Sequence, residues 1–293
     1  MQRVRIGCHD NTLAVIHARW IIQEIKRVDS SCQPDMIPIA AAEEQVLELP
    51  EETACGEEAQ AGELERALLE SRIDLAIYDL KELPQQLMPG LSVAAYSARS
   101  DVRNTLVLPK GMEAPDMGRP IGVSGAHCRM QAGVLYPRFD IAPIRGDVPS
   151  RLKRLDCGDY SALILPCDTL SRLGIRNRSS RIFTQQEIVP AAGQGILAIV
   201  SREGEVHCYL SAVDDFLSRC CAKAERTFIS LFPDTCHNST AAFAQVQDEE
   251  IQMIGFYSDG ERSCKRQLTG PLGEARKLGE RLAEEVKQWY QNG

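Results

Sequence analysis

The chain has 293 residues, 44% of them hydrophobic and 25% charged. That is enough apolar material for a packed core in roughly two or three domains, and too much for wholesale disorder. Its 33 basic and 41 acidic residues give a net charge of −8, the wrong sign for a dedicated nucleic-acid binder, although local arginine clusters still suit small anions. No apolar run approaches the ~18 residues of a membrane span, and the opening Met1–Ile6 has no apolar signal stretch, so neither a membrane nor nucleic acid is expected as a partner.

Short β-rich runs alternate with helical patterns along most of the chain. Val4–Gly7 precedes a helix over about Thr12–Val28, Met36–Ala40 reads as a strand, and a helix over Glu63–Arg72 precedes a strand at Asp74–Leu80. Leu91–Ser97 and Thr105–Pro109 are strand-like, after which the alternation resumes. Pro120–Ser124 leads to a helix near Cys128–Leu135, Asp140–Arg145 to a helix over Pro149–Leu155, and Ser161–Pro166 to a helix ending at Gly174. Phe183–Glu187 and Ile196–Ser201 are further strand candidates. Alternation of this kind implies βαβ units and mostly parallel sheets.

The pattern changes near residue 214. Leu217, Cys221, Ala224, Phe228 and Leu231 recur at helical spacing and read as a core stripe, followed by strands at Ala241–Val246, Ile251–Tyr257 and Gln267–Thr269. A last amphipathic helix over Leu272–Trp289 carries Ala275, Leu278, Leu282, Val286 and Trp289 on one stripe. A small α+β unit therefore follows an α/β body.

Eleven cysteines include no CxxC pair, and the adjacent Cys220–Cys221 is a spacing unsuited to zinc. A reducing cytoplasm is the expected location, with most thiols acting as small buried hydrophobes and no metal site.

Three turns share one design, an apolar strand, a glycine, a polar turn and a helix start: Ile6–Asn11, Ile121–Gly125 and Ile144–Arg151. Glycine permits the tight turn, and a helix N-terminus offers unpaired N–H groups to an anion. None matches a nucleotide-binding glycine motif. Lys81 and Glu82 stand side by side where a strand ends, a place where α/β proteins put chemistry. On the residues alone, a solvated ion pair fits that pair equally well. Cys236, beside His237 in a polar stretch, reads either as a reactive thiol or as an idle surface cysteine.

Taken in order, Arg5-Ile6-Gly7, Leu80-Lys81-Glu82-Leu83-Pro84, Arg99 to Arg103, Ile121 to Ser124, Arg145-Gly146, Arg151-Leu152, Ser171 to Gly174, Gly193-Gln194-Gly195, Ala224-Glu225-Arg226 and Cys236 resemble the hydroxymethylbilane synthase (porphobilinogen deaminase) family over essentially the whole chain. The resemblance implies two periplasmic-binding-protein-like α/β domains with a central cleft, residues 1–98 with 190–213 and residues 99–189, and a third α+β domain, 214–293. It implies a monomeric transferase that joins four porphobilinogens head to tail, with loss of ammonia, on a dipyrromethane cofactor held by a cysteine thioether. Carried over by position, Cys236 is the attachment point, Glu82 the catalytic carboxylate, and Lys81, Arg145 and Arg172 hold cofactor carboxylates. Arg151, Ser124, His9, Asn11, His127 and Arg129 fall at substrate-binding positions.

This chain also departs from the family's pattern. His9 and Asn11 stand where the family has arginine and serine, and His127 and Cys128 replace two arginines, with Arg129 one place beyond. Glutamate at 82 replaces aspartate, Cys236 lacks the usual glycine pair before it, and the segment before Glu63 lacks a Lys/Phe-containing stretch. A second reading therefore stays open, in which the fold and anion cleft persist and the chain binds a pyrrole or another small anion without turnover.

Overall fold

The computed structural model describes residues 2–40, 56–232 and 239–292. Part of the segment before Glu63 therefore lies outside the described residues, as does Cys236. In chain order the elements are β1 (Gln2–His9), α1 (Thr12–Val28), β2 (Cys32–Ile39), α2 (Gly56–Leu69), β3 (Leu75–Asp79) and β4 (Leu91–Tyr96). Next come β5 (Asn104–Val107), β6 (Ile121–Val123), α3 (Ala126–Leu135), β7 (Ile141–Pro143), α4 (Val148–Cys157), β8 (Ala162–Pro166), α5 (Cys167–Arg172) and β9 (Ser179–Ile182). The chain closes with β10 (Leu197–Arg202), α6 (Phe216–Ser230), β11 (Ser239–Gln247), β12 (Glu250–Ser258), β13 (Ser263–Pro271) and α7 (Ala275–Asn292).

Two compact units emerge, residues 1–99 with 193–222 and residues 100–192 with 223–293. The first holds a five-stranded sheet in the order β2-β1-β3-β10-β4, in which β1 runs parallel to β2 and β3 and β10 runs antiparallel to its neighbours β3 and β4. Strand alternation divides its core. Val4, Ile6, Leu75, Ile77, Leu197 and Ile199 meet Ala18, Ile21 and Ile25 of α1 on one face. Ala76, Tyr78, Ala198 and Val200 meet Leu64, Ala67 and Leu68 of α2 on the other. With helices on both faces, all five residues of β3 are buried.

The second unit repeats that topology as β7-β6-β8-β5-β9, again three parallel strands beside one antiparallel strand. Its core is likewise split between an α3 face around Ile121, Val123 and Ala132 and an α4 face around Leu152, Leu155 and Leu163. The same unit contains the antiparallel sheet β11-β12-β13. There Gly255 admits the Phe228 ring of α6, which a Cβ would meet at 2.6 Å. The buried Glu225 carboxylate accepts the Ala244 N–H at 2.7 Å. The fold class is thus the expected one, two α/β sheets and a C-terminal sheet-and-helix portion.

Several element assignments need correction. Phe183–Glu187 is not a strand: β9 ends at Ile182, and Thr184 and Glu187 close a turn on each other, the Thr184 N–H donating to Glu187 Oε2 at 2.8 Å and the Glu187 N–H to Thr184 Oγ1 at 3.2 Å. Phe183 owes its apolar signal to the core, where it is fully buried. β2 starts at Cys32 despite Pro34 and Pro38, because it is an edge strand, where a missing N–H costs no ladder bond. β13 is longer than Gln267–Thr269 and polar, again on an edge. α2 begins at Gly56 and stops before Arg72, with Ser71 in the left-handed region at φ 55°. Leu217 and Leu231 are exposed, so the α6 core stripe reduces to Cys221, Ala224 and Phe228.

At the N-terminal end of β3, Asp74 accepts the Arg5 backbone N–H at 2.7 Å and both Nε and Nη2 of its guanidinium at 3.1 and 2.7 Å. Burial alone would raise the Asp74 pKa, but these bonds and the nearby Arg202 hold it below the usual carboxylate range. Its ionised form therefore favours the folded state. Asp74→Asn should be less stable than wild type at neutral pH. That difference should shrink as pH falls below about 4 and vanish once the folded carboxyl is protonated, which denaturant titrations across pH 2–8 will check. At the opposite end, Gly193 (φ 82°) lies against Leu80, whose Cγ a Cβ would meet at 2.6 Å. Gly193→Ala should cost on the order of 2–4 kcal/mol through left-handed strain and overpacking, measured as a lower denaturation midpoint.

Candidate functional site

The candidate residues divide between the units, and within each they follow the C-terminal ends of parallel strands in sequence, the side of an open α/β sheet where ligands are placed. In the first unit β1 delivers His9 and Asn11, and its neighbour β3 delivers Lys81 and Glu82. In the second, Ser124, His127 and Arg129 follow β6, Arg145 and Arg151 follow β7, and Arg172 follows β8 at the end of α5.

Local sequence explains the β3 end. The strand stops at Asp79, and Leu80–Glu82 form a single 3-10 turn whose N-cap is Asp79. Leu80, fully buried, anchors this turn by its contact with Gly193 and by an N–H bond to the Ile196 carbonyl at 2.9 Å. Lys81 and Glu82 are thereby presented from a fixed base. The Lys81 Nζ donates to Asp79 Oδ2 at 2.7 Å and stands 3.9 Å from Glu82 Oε1. The Asp79 side chain is 5% exposed and that of Glu82 51%. Sequence reasoning paired Lys81 with Glu82 and overlooked Asp79. An aspartate closing a strand just before a turn was the available signal, since that is a capping position.

His9 is half-buried, with its ring edge-on to Tyr78 at 5.9 Å between centroids. Its Nδ1 is buried without a hydrogen-bond partner among the described residues. Burial lowers its pKa, which disfavours the positive charge that protonation would bring. Asn11 caps α1, its Oδ1 accepting the Ala14 N–H at 2.9 Å, so half of its amide already has a structural task.

In the second unit Gly125, at φ 101°, takes the N-cap position of α3 without a side-chain capping bond. A Cβ there would lie 3.1 Å from the His127 ring. The first-turn N–H groups of α3 therefore have no side-chain cap, beside a half-buried Ser124. Cys128 faces inward and is buried, its thiol pushed up to about 12 by that burial. It is a core residue, not a ligand contact. Arg129, one place on, is exposed. After β7, Asp147 caps α4 by accepting the Ser150 N–H at 2.9 Å, with a proline in the first turn. The Arg151 Nε donates to the Gly146 carbonyl at 2.7 Å, tying its guanidinium to the turn. Arg145 is exposed and forms no ion pair with another described residue. Arg172 is half-buried in the last turn of α5.

Taken unit by unit, the ammonium of the first and the guanidinium groups of the second are groups that suit carboxylates, and the exposed Glu82 carboxylate is one that suits an N–H or a cationic group. Cys236 lies outside the described residues, between α6 and β11 in sequence. No described helix is long and apolar enough to cross a membrane.

Residues 4–209 match the family model described as porphobilinogen deaminase, dipyromethane cofactor binding domain, and residues 219–288 match porphobilinogen deaminase, C-terminal domain. Among curated proteins, the porphobilinogen deaminase of Acetivibrio thermocellus is 34% identical over 97% of this chain and 98% of its own length. That of Alkaliphilus oremlandii is 32% identical over 97% of both, and that of Ruminiclostridium cellulolyticum 34% identical over 98% of both. With family models matched over residues 4–209 and 219–288 and relatives covered nearly end to end, the chain belongs to the porphobilinogen deaminase family.

Proposed function

We propose that this chain is a hydroxymethylbilane synthase-like transferase, joining four porphobilinogens into a linear tetrapyrrole with release of one ammonia at each addition and hydrolytic release of the product. The family match over residues 4–209 and 219–288 carries the reading. Our proposal extends to a three-domain arrangement (1–98 with 190–213, 99–189 and 214–293) and to a cytoplasmic monomer that acts on a small molecule and binds neither nucleic acid nor membrane.

The residues of the two α/β units fit the family's dipyrromethane cofactor. Each pyrrole brings two carboxylates, and Lys81, Arg145 and Arg172 are cations at strand-end positions. When bound, that group supplies the nucleophilic pyrrole carbon that primes the chain. Cys236 holds it through a thioether. Lys81, Arg145 and Arg172 grip its acidic arms, and Arg151, Ser124, His9, Asn11, His127 and Arg129 receive substrate side groups. Glu82 accepts hydrogen bonds from pyrrole N–H groups and balances the positive charge that develops as ammonia departs. The arginine after the third glycine turn is held ready by the bond from Arg151 Nε to the Gly146 carbonyl, which lowers the ordering cost of binding.

A second reading, binding without turnover, draws on two observations: His9 is disfavoured as a cation, and Cys128 is buried in the core at a position where the family has arginine. Each lost charge-assisted bond weakens binding by roughly 1.5–3 kcal/mol. Two measurements separate the readings. Protein purified from a pyrrole-producing host should carry an added mass of two pyrroles that Cys236→Ala lacks; unmodified wild-type protein would contradict the proposal. Glu82→Gln should lower porphobilinogen consumption by about 100-fold or more, and a variant as fast as wild type would remove Glu82 from the mechanism.

A further inference from the structure

The carboxylate nearest the Lys81 ammonium is not the one beside it in sequence. Asp79 accepts the Lys81 backbone N–H at 3.4 Å through Oδ1 and the Lys81 Nζ at 2.7 Å through Oδ2, so one carboxylate grips a single lysine at both ends of its side chain. The pair is well shielded, with side-chain exposures of 5% for Asp79 and 18% for Lys81, so water screens it less than a surface pair. Asp79 itself is held by β3, fully buried along its length, and by the turn that Leu80 anchors against Gly193.

We propose that Asp79 is a positioning residue for the reaction, fixing the Lys81 ammonium at the end of β3 so that it meets a ligand carboxylate already oriented. The proposal rests on the reading of Lys81 given above. A lysine carries its charge on a flexible four-carbon stem, and a ligand would otherwise have to freeze that freedom on binding. Of an ammonium's three N–H donors, Asp79 engages one, and the geometry of that bond sets where the others can point. The same burial separates the tasks of the two carboxylates. Asp79, shielded and bonded to an ammonium, holds; Glu82, 51% exposed and 3.9 Å from Nζ, faces the chemistry.

Two readouts on the holoenzyme test this. The first is the rate at which an amine-reactive anhydride labels Lys81, followed by peptide mass analysis. Asp79→Asn, and Asp79→Ser, which keeps a turn cap without the counter-ion, should raise that rate at least about fivefold while the thermal midpoint stays near wild type. The second is a double-mutant cycle on porphobilinogen consumption. Asp79→Asn should lower kcat/KM about tenfold in wild type, yet by less than about twofold in a Lys81→Met background, because its effect passes through that ammonium. Unchanged labelling, or a tenfold loss that persists in Lys81→Met, would overturn the proposal. A wild type that consumes no porphobilinogen would strike the functional reading instead, and the labelling would still decide whether Asp79 holds Lys81.

Discussion

The site depends on a close contact between backbone and side chain beneath it. Leu80 packs where only a glycine leaves room, at Gly193, and its N–H is taken by the Ile196 carbonyl. That contact joins the turn after β3 to the segment entering β10, the strand paired beside it. Lys81, Glu82 and Asp79 inherit their positions from it. A loose turn at this point would leave a long cation and two carboxylates to sample many arrangements, and electrostatic help in catalysis requires that the charges be placed beforehand.

The two α/β sheets apply one solution twice. Three parallel strands lie beside an antiparallel one, and the candidate side chains follow the parallel strands in sequence. The sheets nevertheless contribute different groups. The first provides the lysine and both carboxylates, with a histidine whose pKa burial lowers; the second provides mainly arginines and an α3 N-terminus without a side-chain cap. Under the proposed function, cations would suit the acidic arms of a pyrrole and a carboxylate its nitrogen.

Local signals in the sequence were sufficient for much of the fold. The glycine, polar turn and helix start at Ile6–Asn11 placed α1 over Thr12–Val28, and the same design at Ile144–Arg151 placed a helix from Pro149, one residue inside the start of α4. Features decided by distant partners were not legible in the same way. Pro34 and Pro38 argue against a strand until β2 is known to be an edge. Phe183 looks like strand because it is core, while Thr184 and Glu187 bond to each other. At the site, the positions came from resemblance, but the state of each side chain came from packing. Burial lowered the His9 pKa and turned Cys128 into core, and the turn after β3 gave Lys81 a carboxylate two residues back that adjacency in sequence had hidden.

The central claim is that a cysteine-tethered dipyrrole is gripped by cations at these strand ends. A crystal structure of protein purified from a pyrrole-producing host tests it most directly. The account predicts continuous density from the Cys236 Sγ to a two-pyrrole group whose carboxylates lie within hydrogen-bond distance of Lys81, Arg145 and Arg172. A bare thiol at Cys236, or those three side chains turned away from the bound group, would contradict it.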